Sequence, residues 1–168
     1  MTISEAIKKC IDSNLIDWEL VAYTQRLVNK NMAYSYDNSF DMPVKAFEKG
    51  KGYCWQQAKA LQKILLTLGF KCYAIYAIRN LFPETQFEGV QIPALTSGHV
   101  WCRVKINGEE KDVCPGNIHN KPGEIHFMPL SKINKWNVFI SCWAYWGSAY
   151  VNHKRLKEIR RRCIMDKK

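Results

Sequence analysis

The chain has 168 residues, 47% hydrophobic and 24% charged, the composition of one ordinary globular domain with one core. No apolar run approaches the roughly 18 residues needed to cross a bilayer. The opening MTISEAIKKCIDSNL alternates apolar with charged residues where a secretory signal needs a continuous apolar stretch, so the expectation is a cytoplasmic protein with no membrane contact.

The formal net charge is +10. From His153 to Lys168, eight Lys and Arg residues face two acidic ones, so a net +6 sits in the tail and the body carries an ordinary +4. The expected division is a folded domain over 1–150 and a basic C-terminal helix or tail over 151–168. An acidic partner suits that tail. The chain shows no recognisable nucleic-acid reader, so nucleic acid is not the expected partner.

In chain order, Thr2 and Glu5 form a capping box ahead of Ile3, Ile7 and Ile11 at helical spacing. Asp17 is placed to cap a second helix with Leu20, Val21, Leu27 and Val28 on its apolar side. Residues 33–36 read as extended and 37–41 as a loop, and Pro43 opens a short helix through Phe47. After Gly50 and Gly52 comes the strongest helix, Cys54 to Leu68, with Ala58, Leu61, Ile64, Leu65 and Leu68 as its buried stripe and Gly69 as its stop. Gln56 and Gln57 read as residues on that helix's surface.

Residues 71–78 form a strand, 79–98 a long loop bordering the cleft, and 99–106 a strand. Asn107-Gly108 turns that strand into a returning one over 109–113, which Pro115-Gly116 ends. Residues 125–128 offer one more strand. Trp143, Tyr145 and Trp146 read as core aromatics.

The seven cysteines are odd in number and contain no CxxC pair, which argues against a disulfide framework. Cys54 stands apart. It begins a helix, where unpaired N–H groups carry partial positive charge that favours a thiolate. Glycines at 50 and 52 allow a tight turn and close approach of a substrate, and the Cys54 amide would lie near a developing oxyanion. A thiol nucleophile needs a base, and the base needs a group to hold its tautomer. His99 heads a strand and Asp112 lies on the returning strand of the same hairpin. With a two-residue turn, however, Arg103 opposes Asp112 and His99 falls four residues away, so this register leaves the His99–Asp112 pairing open. Cys102, Cys114, His119 and His126 fit no paired zinc template, so neither metal nor cofactor is expected.

The stretch GKGYCWQQAKALQKILLTLGFKCYAIYA, followed by SGHVWCRVKINGEEKDVCPG, resembles the two halves of the transglutaminase-like superfamily signature over roughly 20–116. The resemblance implies an α+β, papain-like core in which a central helix carrying the nucleophile packs on an antiparallel sheet. It implies Cys54 as nucleophile, His99 as base and Asp112 as third member, although Val113 and Cys114 separate Asp112 from Pro115 where the family has Asp-Pro. The activity it implies is acyl transfer at a peptide or other amide through a thioester; hydrolysis is favoured over transamidation because excluding water takes a deep dry channel that the sequence does not show. An arylamine N-acetyltransferase-like enzyme and a catalytically degenerate binding module are the alternatives.

Overall fold

The computed structural model describes residues 1–87, 90–143, 146, 147 and 150. The basic tail and Tyr145 therefore lie outside the described residues.

Helix α1, Ile3–Asp12, starts on the expected capping box. The Glu5 amide donates to Thr2 Oγ1 at 3.2 Å, and the Thr2 amide donates to Glu5 Oε2 at 2.7 Å. Its buried face is Ile3, Ala6 and Cys10, while Ile11 is 62% exposed. At about 100° per residue, successive steps of four drift about 40° each, which carries Ile11 off the face that Ile3 begins. Helix α2, Asp17–Asn31, has Ile16 at its cap, so Asp17 serves as a first-turn charge and not as the capping side chain. Helix α3, Pro43–Glu48, has Pro43 in its first turn.

Strand β1, Ala33–Tyr34, pairs in parallel with β2, Lys51–Gly52, and this two-residue ladder fixes the approach to the central helix. Gly50 turns through φ 71°, a region that favours glycine. A Cβ on Gly52 would stand 2.6 Å from Met32 Cε and 3.1 Å from Gln56 Cβ, so a larger residue would push both side chains aside. Helix α4, Cys54–Thr67, buries Ala58, Leu61, Ile64 and Leu65 as its pattern demands. Gly69, at φ 90°, closes it as Phe70 donates to Leu65 O at 3.0 Å.

Gln56 and Gln57 correct the surface assignment, being 0% and 1% exposed. Gln56 Nε2 donates to the carbonyls of Asn38 (2.9 Å) and Asp41 (2.7 Å), and its Oε1 accepts from the Tyr53 amide at 3.1 Å. Gln57 Nε2 donates to Met32 O at 2.9 Å. Both glutamines are buried because they satisfy irregular backbone that the helix covers.

The main sheet is antiparallel and runs β7–β6–β3–β8, with β9 also on β3. Strand β3 is Lys71–Phe82 and β6 is Leu95–Ile106, so the sheet extends well into the segment expected as a loop. A small hairpin of β4, Thr85–Phe87, and β5, Val90–Ile92, crosses between them. The long β3–β6 pairing supplies partners for the backbone of a segment that lacks a clear side-chain period. Strand β7 is Glu109–Val113, β8 is Met128–Pro129 and β9 is Asn134–Lys135. Helix α5, Val138–Trp143, follows. Trp146 is 71% exposed and is not the core aromatic the sequence suggests.

Alternation along β6 divides two cores. Val100, Cys102 and Val104 face α4 together with Cys72 and Ala74. Trp101 packs on the other side with Ile75, Ala77, Cys114 and Phe127. This is the expected architecture, with a central helix packed on an antiparallel sheet.

Candidate active site

The turn made by Gly50 and Gly52 places Cys54 as the first residue of α4, half-buried. Its sulfur is reached by the backbone N–H groups of Val100, Trp55 and Cys54 itself. Val100 directly follows His99. Strand β7 stops at Val113, opposite Cys102, so among the described residues no strand pairs with that edge of β6 alongside Val100. Cys54 and the stretch of β6 that bears His99 therefore come together where the hairpin ends.

Burial dominates the electrostatics and pushes the Cys54 thiol up to about 11, against the pull of those N–H groups. At rest Cys54 is a thiol, and the helix-terminus field expected to favour a thiolate does not prevail.

His99 is held by a bulge. Ala77 pairs with His99 and Asn80 with Ser97, so Ile78 and Arg79 stand against Gly98 alone. Such a bulge bends the strand and re-aims the next side chain. The fully buried Asn80 secures it, its Nδ2 donating to Ala77 O at 2.9 Å and Ser97 O at 3.1 Å. Asn80 has no distinguishing mark in the sequence, since its partners are set by a pairing between strands.

The His99 ring is 7% exposed. Phe127 and Phe82 meet it edge-on at 4.6 and 5.2 Å between centroids, and Trp101 stacks at 6.0 Å. This apolar enclosure pushes the imidazole down to about 3, so the resting ring is neutral.

The group at His99 Nε2 is Cys114, whose Sγ lies at 3.2 Å. Asp112, the expected third member, is not there. The observed register pairs Arg103 with Asp112, as the two-residue turn requires. Arg103 Nε and Nη2 grip the two carboxylate oxygens at 2.6 and 3.1 Å. Four residues of strand span about 13 Å, too far for Asp112 to touch His99. Val113 is opposite Cys102, so continuing the register sets Cys114 against Trp101, on the His99 face and one diagonal step from His99. The Cys114-Pro115 dipeptide, standing where the family has Asp-Pro, was the signal available in the sequence.

Cys114 is 2% exposed, and burial pushes its thiol up to about 12. The Gly116 amide donates to its sulfur at 3.5 Å. Its carbonyl accepts from Asn120 Nδ2 at 2.9 Å, and Asn29 and Gln25 of α2 hold Pro115 O and Asn120 O at 2.6 and 2.7 Å. Cys102 lies on the opposite face and donates to Ala58 O at 3.1 Å, so it and Cys114 do not converge. The rings of His119 and His126 lie 6.2 Å apart. Among the described residues no three His, Cys, Asp or Glu side chains are grouped to hold a metal ion.

The chain was compared with known proteins. No curated protein matches it. A solved structure described as the crystal structure of a TGase is similar over 70% of this chain, with a TM-score of 0.51 and 15% identity. This chain spans 31% of that one, and at such identity the likeness concerns the fold. The family model for the transglutaminase-like superfamily matches residues 5–112, which include Cys54 and His99 and stop two residues short of Cys114. With more than half of its length matched and an α+β core of the expected kind, the chain belongs to the transglutaminase-like superfamily.

Proposed function

We propose that the protein performs acyl transfer at an amide through a Cys54 thioester, with water as the acceptor, making it a peptidase or amidase. The observation that carries this reading is the position of Cys54: its sulfur lies at the start of α4 against the Val100 amide, beside the strand residue that bears the imidazole. His99 takes the thiol proton as sulfur attacks the carbonyl carbon. The carbonyl electron pair moves to oxygen, where nearby N–H groups stabilise it. Collapse breaks the C–N bond, and the imidazolium protonates the departing amine. Water, deprotonated by His99, then releases the acid and restores the thiol.

Hydrolysis is favoured over transfer to an amine because Cys54 is part-exposed. A reducing, cytoplasmic setting belongs to the same reading, since it keeps the thiol free.

A second reading, a degenerate binding module, draws on one observation. The neutral His99 and the raised Cys54 thiol, with no carboxylate at the imidazole, leave little thiolate at rest.

Acylation by p-nitrophenyl acetate separates the two. The enzyme reading expects a burst of nitrophenol stoichiometric with protein and an acetyl mass on Cys54. That burst should be lost in Cys54→Ala and slowed about 100-fold or more in His99→Ala. Acetylation of the native chain no faster than of Cys54→Ala would refute it and leave the binding module.

A further inference from the structure

At the open end of the β6–β7 hairpin the Cys114 sulfur stands 3.2 Å from His99 Nε2, and the Cys54 sulfur lies against the amide of the next residue, Val100. A carboxylate at Nε2 would fix the tautomer of the base and also stabilise the imidazolium. The thiol found at that place can do only the first.

We propose that Cys114 is the positioning residue of the His99 base, accepting the Nε2 proton on its sulfur and leaving Nδ1 bare to take the proton of Cys54. This rests on the reading of Cys54 and His99 given above. The 3.2 Å contact supplies the bond. Either atom can donate in this contact, and the sulfur's other partner decides the direction. The Gly116 amide also points at that sulfur, which marks it as an accepting atom. The side chain has little freedom, because Asn120, Asn29 and Gln25 fasten the backbone from Cys114 to Asn120 onto itself and onto α2. Phe82, Trp101 and Phe127 enclose the ring, and their apolar faces express no preference between tautomers. The charge on the same strand, Asp112, is taken by Arg103.

The proton of Cys54 then moves to Nδ1 only as the sulfur–carbon bond forms and the carbonyl electron pair shifts to oxygen. Cys114 keeps its own proton throughout. The site holds its thiol in reserve until an acyl group arrives.

The test reads the His99 ring nitrogens by long-range 15N NMR against pH, with His99→Gln identifying the signals. Alongside it, iodoacetamide alkylation of Cys54 is followed by mass spectrometry. The native ring should be the neutral Nε2–H form at pH 7. Cys114→Asp should raise the His99 pKa by about 1–3 units. As a stronger base for the Cys54 proton, His99 should then speed Cys54 alkylation at pH 7 by about 3- to 30-fold, at a Brønsted slope of about 0.5. Cys114→Ser should keep the native tautomer, and Cys114→Ala should give a mixture.

A folded Cys114→Asp with native His99 pKa and tautomer would overturn the proposal, as would Cys114→Ala with a ring still wholly Nε2–H. A raised pKa with unchanged Cys54 alkylation would uphold Cys114 and instead remove the pairing of Cys54 with His99. If Cys114→Asp does not fold, the alanine and serine variants decide.

Discussion

Replacing Gln56 with alanine tests whether the turn that presents Cys54 depends on one buried amide. Gln56 is fully buried and makes three hydrogen bonds: one from the Tyr53 amide, immediately before Cys54, and two to the carbonyls of Asn38 and Asp41. The Tyr53 bond is buried, so loss of its partner costs about 1–3 kcal/mol. The two carbonyl bonds are part-buried, and water relieves them in part, at about 0.5–1.5 kcal/mol each. The whole is about 2–6 kcal/mol, before any cavity, against a domain stability of about 5–15 kcal/mol. The comparison is Gln62→Ala on the same helix. Gln62 makes two part-buried bonds, donating to Cys72 O at 3.2 Å and accepting from Lys59 Nζ at 2.6 Å, so its loss should cost about 1–3 kcal/mol. Urea unfolding at pH 7 measures both. A Gln56→Ala loss below about 1 kcal/mol, or one equal to that of Gln62→Ala, would refute the reasoning.

Stability against pH should show a plateau bounded by the site. The folded state lowers the His99 pKa to about 3, so as pH falls below about 6.5 the unfolded chain binds the proton first and stability falls by about 1.4 kcal/mol per pH unit. Cys54 behaves in the opposite sense: its contribution is whole below about 8.5 and is lost as pH rises toward about 11. Urea titrations of native protein and His99→Gln between pH 6.5 and 4.5 should differ in slope, and parallel curves would contradict the neutral, buried imidazole. Asp112→Asn, which breaks the pair with Arg103, should cost about 1 kcal/mol and leave Cys54 acetylation within about twofold. A fall in acetylation comparable to that of His99→Ala would return Asp112 to the role of third member.

Much of the scaffold is legible in local chemistry. The Thr2–Glu5 box, the Ala58-Leu61-Ile64-Leu65 stripe with Gly69, and the Asn107-Gly108 turn each depend on residues a few positions apart, so their physics is written in the string. The same locality marked Cys54, because a cysteine behind Gly50 and Gly52 at a helix start is a local arrangement. Counting back from the turn even predicted that Arg103 faces Asp112.

What the string could not supply were effects that depend on contacts across the fold. Gln56 and Gln57 look like surface residues until the loop over 37–41 and the end of α2 fold against them. The bulge at Gly98 arises between two strands, and Asn80 gains its function only from that pairing. Burial raised Cys54 and lowered His99, reversing the expectation from the helix terminus, because the aromatic enclosure comes from Phe82 and Phe127, 17 and 28 residues from His99. Sequence alone determined helices α1 to α4, the hairpin and the place of Cys54 at a helix start. Tertiary structure decided which group faces the imidazole, since that depends on where β7 ends and which face each residue beyond it takes.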